Sequence, residues 1–297
     1  MPRPWSPVIV ALVECGEFCH NANMTQHLLP YLIVAFVYMA VALDYWRIAT
    51  QGKPVDEHAF PFQLHSAMVA LGLVMHAGLL YRDIFAIGSL NLGVYYALSA
   101  IFWLTVLIYW LADLKHSLRS LQAFVLPPAA LFVLMPGFAV KDYYVDTHGF
   151  TLFNLHILIA MVAYSLFTFA ALHACLMRVA ERALHQKQSW LSLPDFPPLM
   201  VLDALLFKVL HVGFVLLTIT LISGMLFSEE IFGKPLQFNH KTIFSIASWL
   251  IYAWLLFGRF KFGWRGKTAT RWTLLGFVLL MLAYIGSRFV LHVVLGR

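Results

Sequence analysis

Charge is what this sequence has least of. Asp, Glu, Lys and Arg make up 11% of its 297 residues, against about 25% in a soluble domain. So few charges cannot cover the surface of a water-soluble protein of this size. Cysteine is scarce too: Cys15, Cys19 and Cys175 imply no disulfide framework. There is no P-loop, no G-x-S-x-G, no H-E-x-x-H and no dinucleotide fingerprint, so enzyme chemistry is not expected. The stem lacks the A-x-A ending of a cleaved signal peptide. Internal repeats and low-complexity tracts are absent. Carboxylates hardly enter the apolar stretches; Asp44, Asp113 and Asp203 all fall near their ends.

What fills the space is apolar. Hydrophobic residues make up 61% of the chain and aromatics 15%, with a mean hydropathy of +0.79. A helix needs about 20 apolar residues to cross the hydrocarbon. Eight stretches qualify, at roughly 28–47, 62–81, 90–112, 121–140, 152–178, 203–227, 241–258 and 271–294. They predict an all-α transmembrane bundle forming one domain over 28–297. The stem 1–27 precedes it, with Met24 as an alternative start. The net charge of +6 would suggest nucleic acid in a soluble protein. Here the basic residues lie between spans, so they report topology. With the N-terminus outside, the inner connections carry 12 Lys and Arg and the outer segments five, leaving aside Lys208, Lys241 and Arg288 near span ends. Both termini are therefore expected outside a bacterial inner membrane.

Ionisable groups inside a membrane are functional candidates by default, and in this chain they are mostly histidine. His65 and His76 are 11 residues apart in the second span, which returns them to one face about 16 Å apart. Each could bond a neighbouring helix or act as a ligand. His76, His156 and His240 fall at one depth near the outer surface, and neutral imidazole is a common metal and haem-iron ligand. His211 reads as a satisfied core group. His173 is rotated about 100° from His156 and is not expected in the same pocket. In the seventh span, Lys241, Ser245, Ser248 and Tyr252 form a stripe that should face the bundle. In the eighth, Tyr284, Arg288 and His292 follow i, i+4 spacing. Lys241 and Arg288 could meet anionic groups or snorkel to lipid headgroups. Cys15-Gly16-Glu17-Phe18-Cys19-His20 is one residue longer than the covalent haem motif. The near absence of midplane carboxylates argues against a proton-coupled transporter.

Several stretches together resemble the YpjD/HemX-like branch of the cytochrome c assembly (CcsA-like) membrane proteins. They are Asn154-Leu155-His156-Ile157, Pro197-Pro198-Leu199-Met200, Gly213-Phe214-Val215-Leu216-Leu217-Thr218 with Ser223-Gly224, His240-Lys241-Thr242, Gly263-Trp264-Arg265-Gly266 and Ala283-Tyr284-Ile285-Gly286-Ser287-Arg288. The resemblance implies a non-covalent haem site with His156 and His76 as axial ligands of the iron. His240 would be a third ligand or an orienting group, and Lys241 and Arg288 the propionate partners. Implied partners, besides membrane lipids, are cytochrome c maturation components or a haem-synthesis enzyme. The alternative role is a regulatory or accessory protein that binds a partner without exporting haem. The Trp-rich loop of the exporting relatives is missing, since 227–242 contains no Trp. The position of their second external His falls near Gly258-Arg259, so that ligand is absent.

Overall fold

The computed structural model describes residues 28–47, 62–86, 89–91, 93–116, 119–138, 144–146, 151–185, 198–232 and 240–286. The stem 1–27 with its cysteines, Arg288, His292 and the Pro-rich stretch up to 197 lie outside these residues. Eight helices are described: α1 (Leu28–Arg47), α2 (Phe62–Ile84), α3 (Val94–His116), α4 (Arg119–Val133), α5 (Thr151–His185), α6 (Leu199–Phe232), α7 (His240–Phe262) and α8 (Gly266–Met281). Each of the eight predicted spans falls on one of them. Six are long and apolar enough to cross a membrane; α4, extended by a 3₁₀ turn to Phe138, is shorter. The 16-residue α8 continues into a π turn over Leu282–Gly286. α5 and α6, at 35 and 34 residues, exceed the predicted spans. At 1.5 Å per residue they run about 50 Å and outreach the hydrocarbon. One addition was not foreseen: a small antiparallel sheet of β1 (Phe85–Ala86), β2 (Ser89–Asn91) and β3 (Tyr144–Asp146), in the order β1-β2-β3. It ties the α2–α3 turn to the segment before α5.

α5 is the central helix, packed against α3, α6 and α8. Small residues let the backbones close up, as membrane helices require. Phe167 of α5 stacks on Tyr252 of α7 at 4.1 Å. A Cβ on Gly213 of α6 would stand 3.2 Å from the Phe167 ring, and one on Gly276 of α8 would stand 2.8 Å from the Tyr252 ring. Four helices thus meet around two rings. The seventh-span stripe faces inward as expected, apart from Lys241: Ser245, Ser248 and Tyr252 are buried. Ser248 donates to Gly276 O at 2.8 Å.

A tyrosine ladder joins α1 to α2. Tyr31, Tyr38 and Tyr45 repeat every seven residues and are all buried. Tyr31 binds Asp83 and accepts from Arg82 Nη2 at 3.0 Å. Tyr38 reaches His76 Nδ1 at 3.4 Å, and Tyr45 lies on the His65 ring at 4.9 Å. His65 and His76 do share a face, and that face meets α1. Pro127 and Pro128 sit inside α4. Pro127 has no N–H to offer the carbonyl four residues back, and lipid offers no substitute. Trp46 of α1 supplies it, donating from Nε1 to Ala123 O at 3.3 Å.

The α7–α8 corner is locked to α6. Gly263 and Gly266 adopt φ of 66° and 53°, the left-handed region that glycine enters without strain. Trp264 folds back over Gly258, where a Cβ would come within 2.2 Å of its ring. Arg259 Nη1 donates to Trp264 O and to Asp203 Oδ2, both at 2.9 Å. Asp203 Oδ1 accepts from Gly266 N at 3.3 Å and so satisfies an orphan donor of α8 from another helix. Asp203→Ala leaves Arg259 without its countercharge in a largely buried site. The substitution is expected to reduce stability by about 3 kcal/mol, read as an earlier unfolding midpoint in mixed micelles. An unchanged midpoint would show that the corner holds without the carboxylate.

Candidate functional site

At the opposite end of α7 from that corner, α5, α6 and α7 bring His156, Ser223, Gly224 and Lys241 together. His156 is half-buried on the first turns of α5. Its Nδ1 lies 2.7 Å from Ser223 Oγ. Ser223 Oγ also lies 2.7 Å from Ile219 O and 3.3 Å from Thr220 O. Carbonyl oxygens only accept, so the single hydroxyl proton goes to the helix backbone. The Ser223 oxygen must then accept from His156, which places the imidazole proton on Nδ1. In the neutral ring Nε2 is therefore the lone-pair nitrogen. A hydrogen bond that fixes one ring nitrogen in this way sets the tautomer and raises the donor strength of the other. Gly224 seats the ring, since a Cβ there would stand 3.4 Å from His156 Cε1. Phe153 lies nearly parallel to it at 6.3 Å. Lys241, exposed on the first turn of α7, is close enough to act electrostatically on the ring. His240 is exposed beside it.

His76 sits elsewhere. It is 0% exposed, with Nε2 2.9 Å from Ser99 Oγ of α3 and Nδ1 3.4 Å from Tyr38 OH of α1. Both nitrogens are engaged within α1, α2 and α3. To coordinate anything, His76 must give up one of these bonds. Among the described residues no three His, Cys, Asp or Glu side chains cluster as a metal site. His173 Nε2 donates to Leu202 O at 2.9 Å, and Tyr109 stands 3.4 Å from Nδ1; as expected, it does not share the His156 pocket. His65 pairs with Asp44 at 2.6 Å. His211 departs from expectation. It is exposed, and it bonds only its own helix, at Phe207 O. The position of the relatives' second external His, near Gly258-Arg259, holds no imidazole in this chain. Arg259 lies 18 residues along α7 from Lys241, about 27 Å, and is taken up by Asp203. Ser223 was visible in the sequence only as part of a motif. Its partner is 67 residues away, and only the α5–α6 packing reveals it.

The fold and this site define a polytopic α-helical membrane protein with one tautomerically fixed histidine at a helix end. The chain belongs to the cytochrome c assembly family: residues 64–295 match the family described as Cytochrome C assembly protein. It is 31% identical to the inner membrane protein YpjD of Escherichia coli over 173 residues, 58% of this chain and 63% of YpjD. It is 35% identical to the cytochrome c biogenesis protein CcsA of a Synechococcus species over 96 residues, 32% of this chain and 30% of CcsA. The aligned part thus spans less than two thirds of either relative. No solved structure matches the chain. Family, relatives and six long apolar helices make it a multi-pass protein of the bacterial inner membrane.

The tautomer assignment is open to direct measurement. In ¹⁵N-histidine spectra of the protein in detergent, the neutral His156 ring is expected as the Nδ1–H form. Ser223→Ala is expected to shift it toward a mixture of tautomers. A wild-type ring protonated on Nε2 contradicts the geometry.

Proposed function

We propose that this protein binds haem non-covalently at the extracytoplasmic end of α5, α6 and α7 and works in cytochrome c biogenesis or haem handling. His156 is the axial ligand in this reading. The observation that carries it is the Ser223 hydrogen bond, which leaves the His156 lone pair on Nε2, the nitrogen with the longer reach from the helix. Gly224 keeps the ring edge clear, and Lys241 offers a cation at the rim. The donor set suits one axial position and one propionate. His240, one residue before Lys241, would be the second ligand or an orienting group, and Arg288 a further propionate partner. Haem supplies an iron that seeks an axial nitrogen and two carboxylates that seek cations. The protein's part is to hold the imidazole in one tautomer, keep its ring half out of water and place a positive charge beside it. Family membership and the CcsA relative support the biogenesis role. His76 enters as a ligand only by breaking its bond to Ser99. In its observed state it pins α2 between α1 and α3.

The test is the visible spectrum of the full chain purified from haem-replete cells. A Soret band is expected, and His156→Ala is expected to abolish it. Ser223→Ala should weaken haem binding by roughly ten- to a hundredfold. His76→Ala is expected to keep the band while lowering thermal stability. No band at all, or one unchanged when His156→Ala and His76→Ala are combined, overturns the proposal.

A further inference from the structure

The outward face of α6 has a composition that hydrocarbon does not explain. Val201, Ala204, Lys208, His211, Val215 and Ile222 are all exposed. Their spacings of 3, 4, 3, 4 and 7 residues match the seam a helix presents to a partner helix. Four of the six are apolar, as lipid contact allows. Lys208 and His211 are the exceptions, and lipid-facing ionisable residues are rare.

Depth makes His211 the telling residue. α6 and α7 run antiparallel and are tied twice, by Asp203 to Arg259 at 2.9 Å and by Thr218 to Trp249 at 2.9 Å. His211 falls between the two ties. It lies eight residues along α6 from Asp203, about 12 Å from the charged corner, inside the apolar stretch Leu199–Leu226. A lysine stem can snorkel part of that distance; an imidazole cannot. His211 Nδ1 donates to Phe207 O at 2.7 Å, so Nε2 is the outward nitrogen, and it meets no partner among the described residues. Lys208, one turn away on the same face, makes no ion pair or hydrogen bond among them either.

We propose that this face of α6 docks a transmembrane helix of another protein, and that the partner helix carries an Asp or Glu at the level of Lys208 and His211. A carboxyl group is the one side chain that serves both. As an acid it donates to His211 Nε2; as a carboxylate it accepts from the Lys208 ammonium. Polar contacts of this kind fix register between membrane helices. A second copy of this chain does not supply it. Of its own carboxylates whose side chains are described, Asp44 pairs with His65, Asp83 with Arg82, Asp113 with Gln122, Glu181 with Lys267 and Asp203 with Arg259. A two-fold contact through this face would also set Lys208 against its own image. The surface centres about a quarter turn around α6 from Ser223, and the proposal stands independently of haem.

Site-specific photocrosslinking in intact membranes tests this. Benzoylphenylalanine replaces Val215 on the proposed face, and Leu275 on the exposed side of α8 as the control. Irradiation is expected to join position 215, and not 275, to one other membrane protein. The crosslink should map to a transmembrane segment with Asp or Glu within one turn. Lys208→Ala combined with His211→Ala should cut the yield roughly tenfold or more, a loss of about 1.4 kcal/mol or more of coupling. The size-preserving pair Lys208→Gln and His211→Asn should do the same. Lys208→Glu should abolish the product, and changing the partner's carboxylate to Lys should restore it. Lipid adducts alone, a chain-to-chain product, or a yield indifferent to Lys208 and His211 overturns the proposal.

Discussion

A polar group in hydrocarbon has no water to turn to, and most of the specific contacts in this bundle follow from that. Hydroxyls on the spans give their protons back to the helix: Thr105 to Ile101 O, Ser165 to Met161 O, Thr218 to Phe214 O and Ser223 to Ile219 O. The carbonyl released by Pro127 is taken by an indole from α1. Histidines that would be costly alone are enclosed, His76 by a tyrosine and a serine, His173 by a tyrosine and a backbone carbonyl. The same rule produces the asymmetry of the His156 ring. A serine whose proton is already committed can only accept, and so it fixes the tautomer of the histidine that leans on it.

That asymmetry depends on rigid surroundings. His156 is presented by α5, the helix with the most neighbours, and its seat is carved from α6 by Ser223 and Gly224. The α6–α7 pairing that brings Lys241 to the ring is held at mid-height by Trp249 on Thr218, with Phe214 stacked on the same indole at 5.5 Å. At the far end it is held by the Asp203–Arg259 lock. The charged corner and the histidine seat lie at opposite ends of the same helix pair, so the corner's contribution to the site is register. It fixes which residue of α7 faces the first turns of α5.

Much of this was legible in the sequence, and what was missed has a common cause. The spans, the all-α class and the inward stripe of Ser245, Ser248 and Tyr252 follow from local rules of apolar length and helical period. His65 and His76 were placed correctly on one face. Their role depends on tyrosines in a different helix, even though the seven-residue repeat of Tyr31, Tyr38 and Tyr45 was there to be read. Ser223 and His156 are 67 residues apart, and Asp203 and Gly266 are 63 apart. No periodicity within one helix predicts such pairs. The small sheet was missed for a related reason: strands of two and three residues leave no alternation to detect.

His211 reverses the usual inference from burial. In water an exposed histidine is ordinary, and the sequence reads this one as a satisfied core group. The bundle instead turns it outward, beside Lys208, while enclosing His65, His76 and His173. A protein that can enclose three imidazoles in its spans was not short of places for a fourth. Thr218, seven residues from His211 and on nearly the same side of α6, is taken by Trp249 of α7, and Ser223 is taken by His156. What α6 leaves without a partner among the described residues is the outward nitrogen of His211 and the Lys208 ammonium. One helix therefore answers to different partners, at Ser223 to an imidazole of its own chain and at Lys208 and His211 to a carboxyl group from a neighbour.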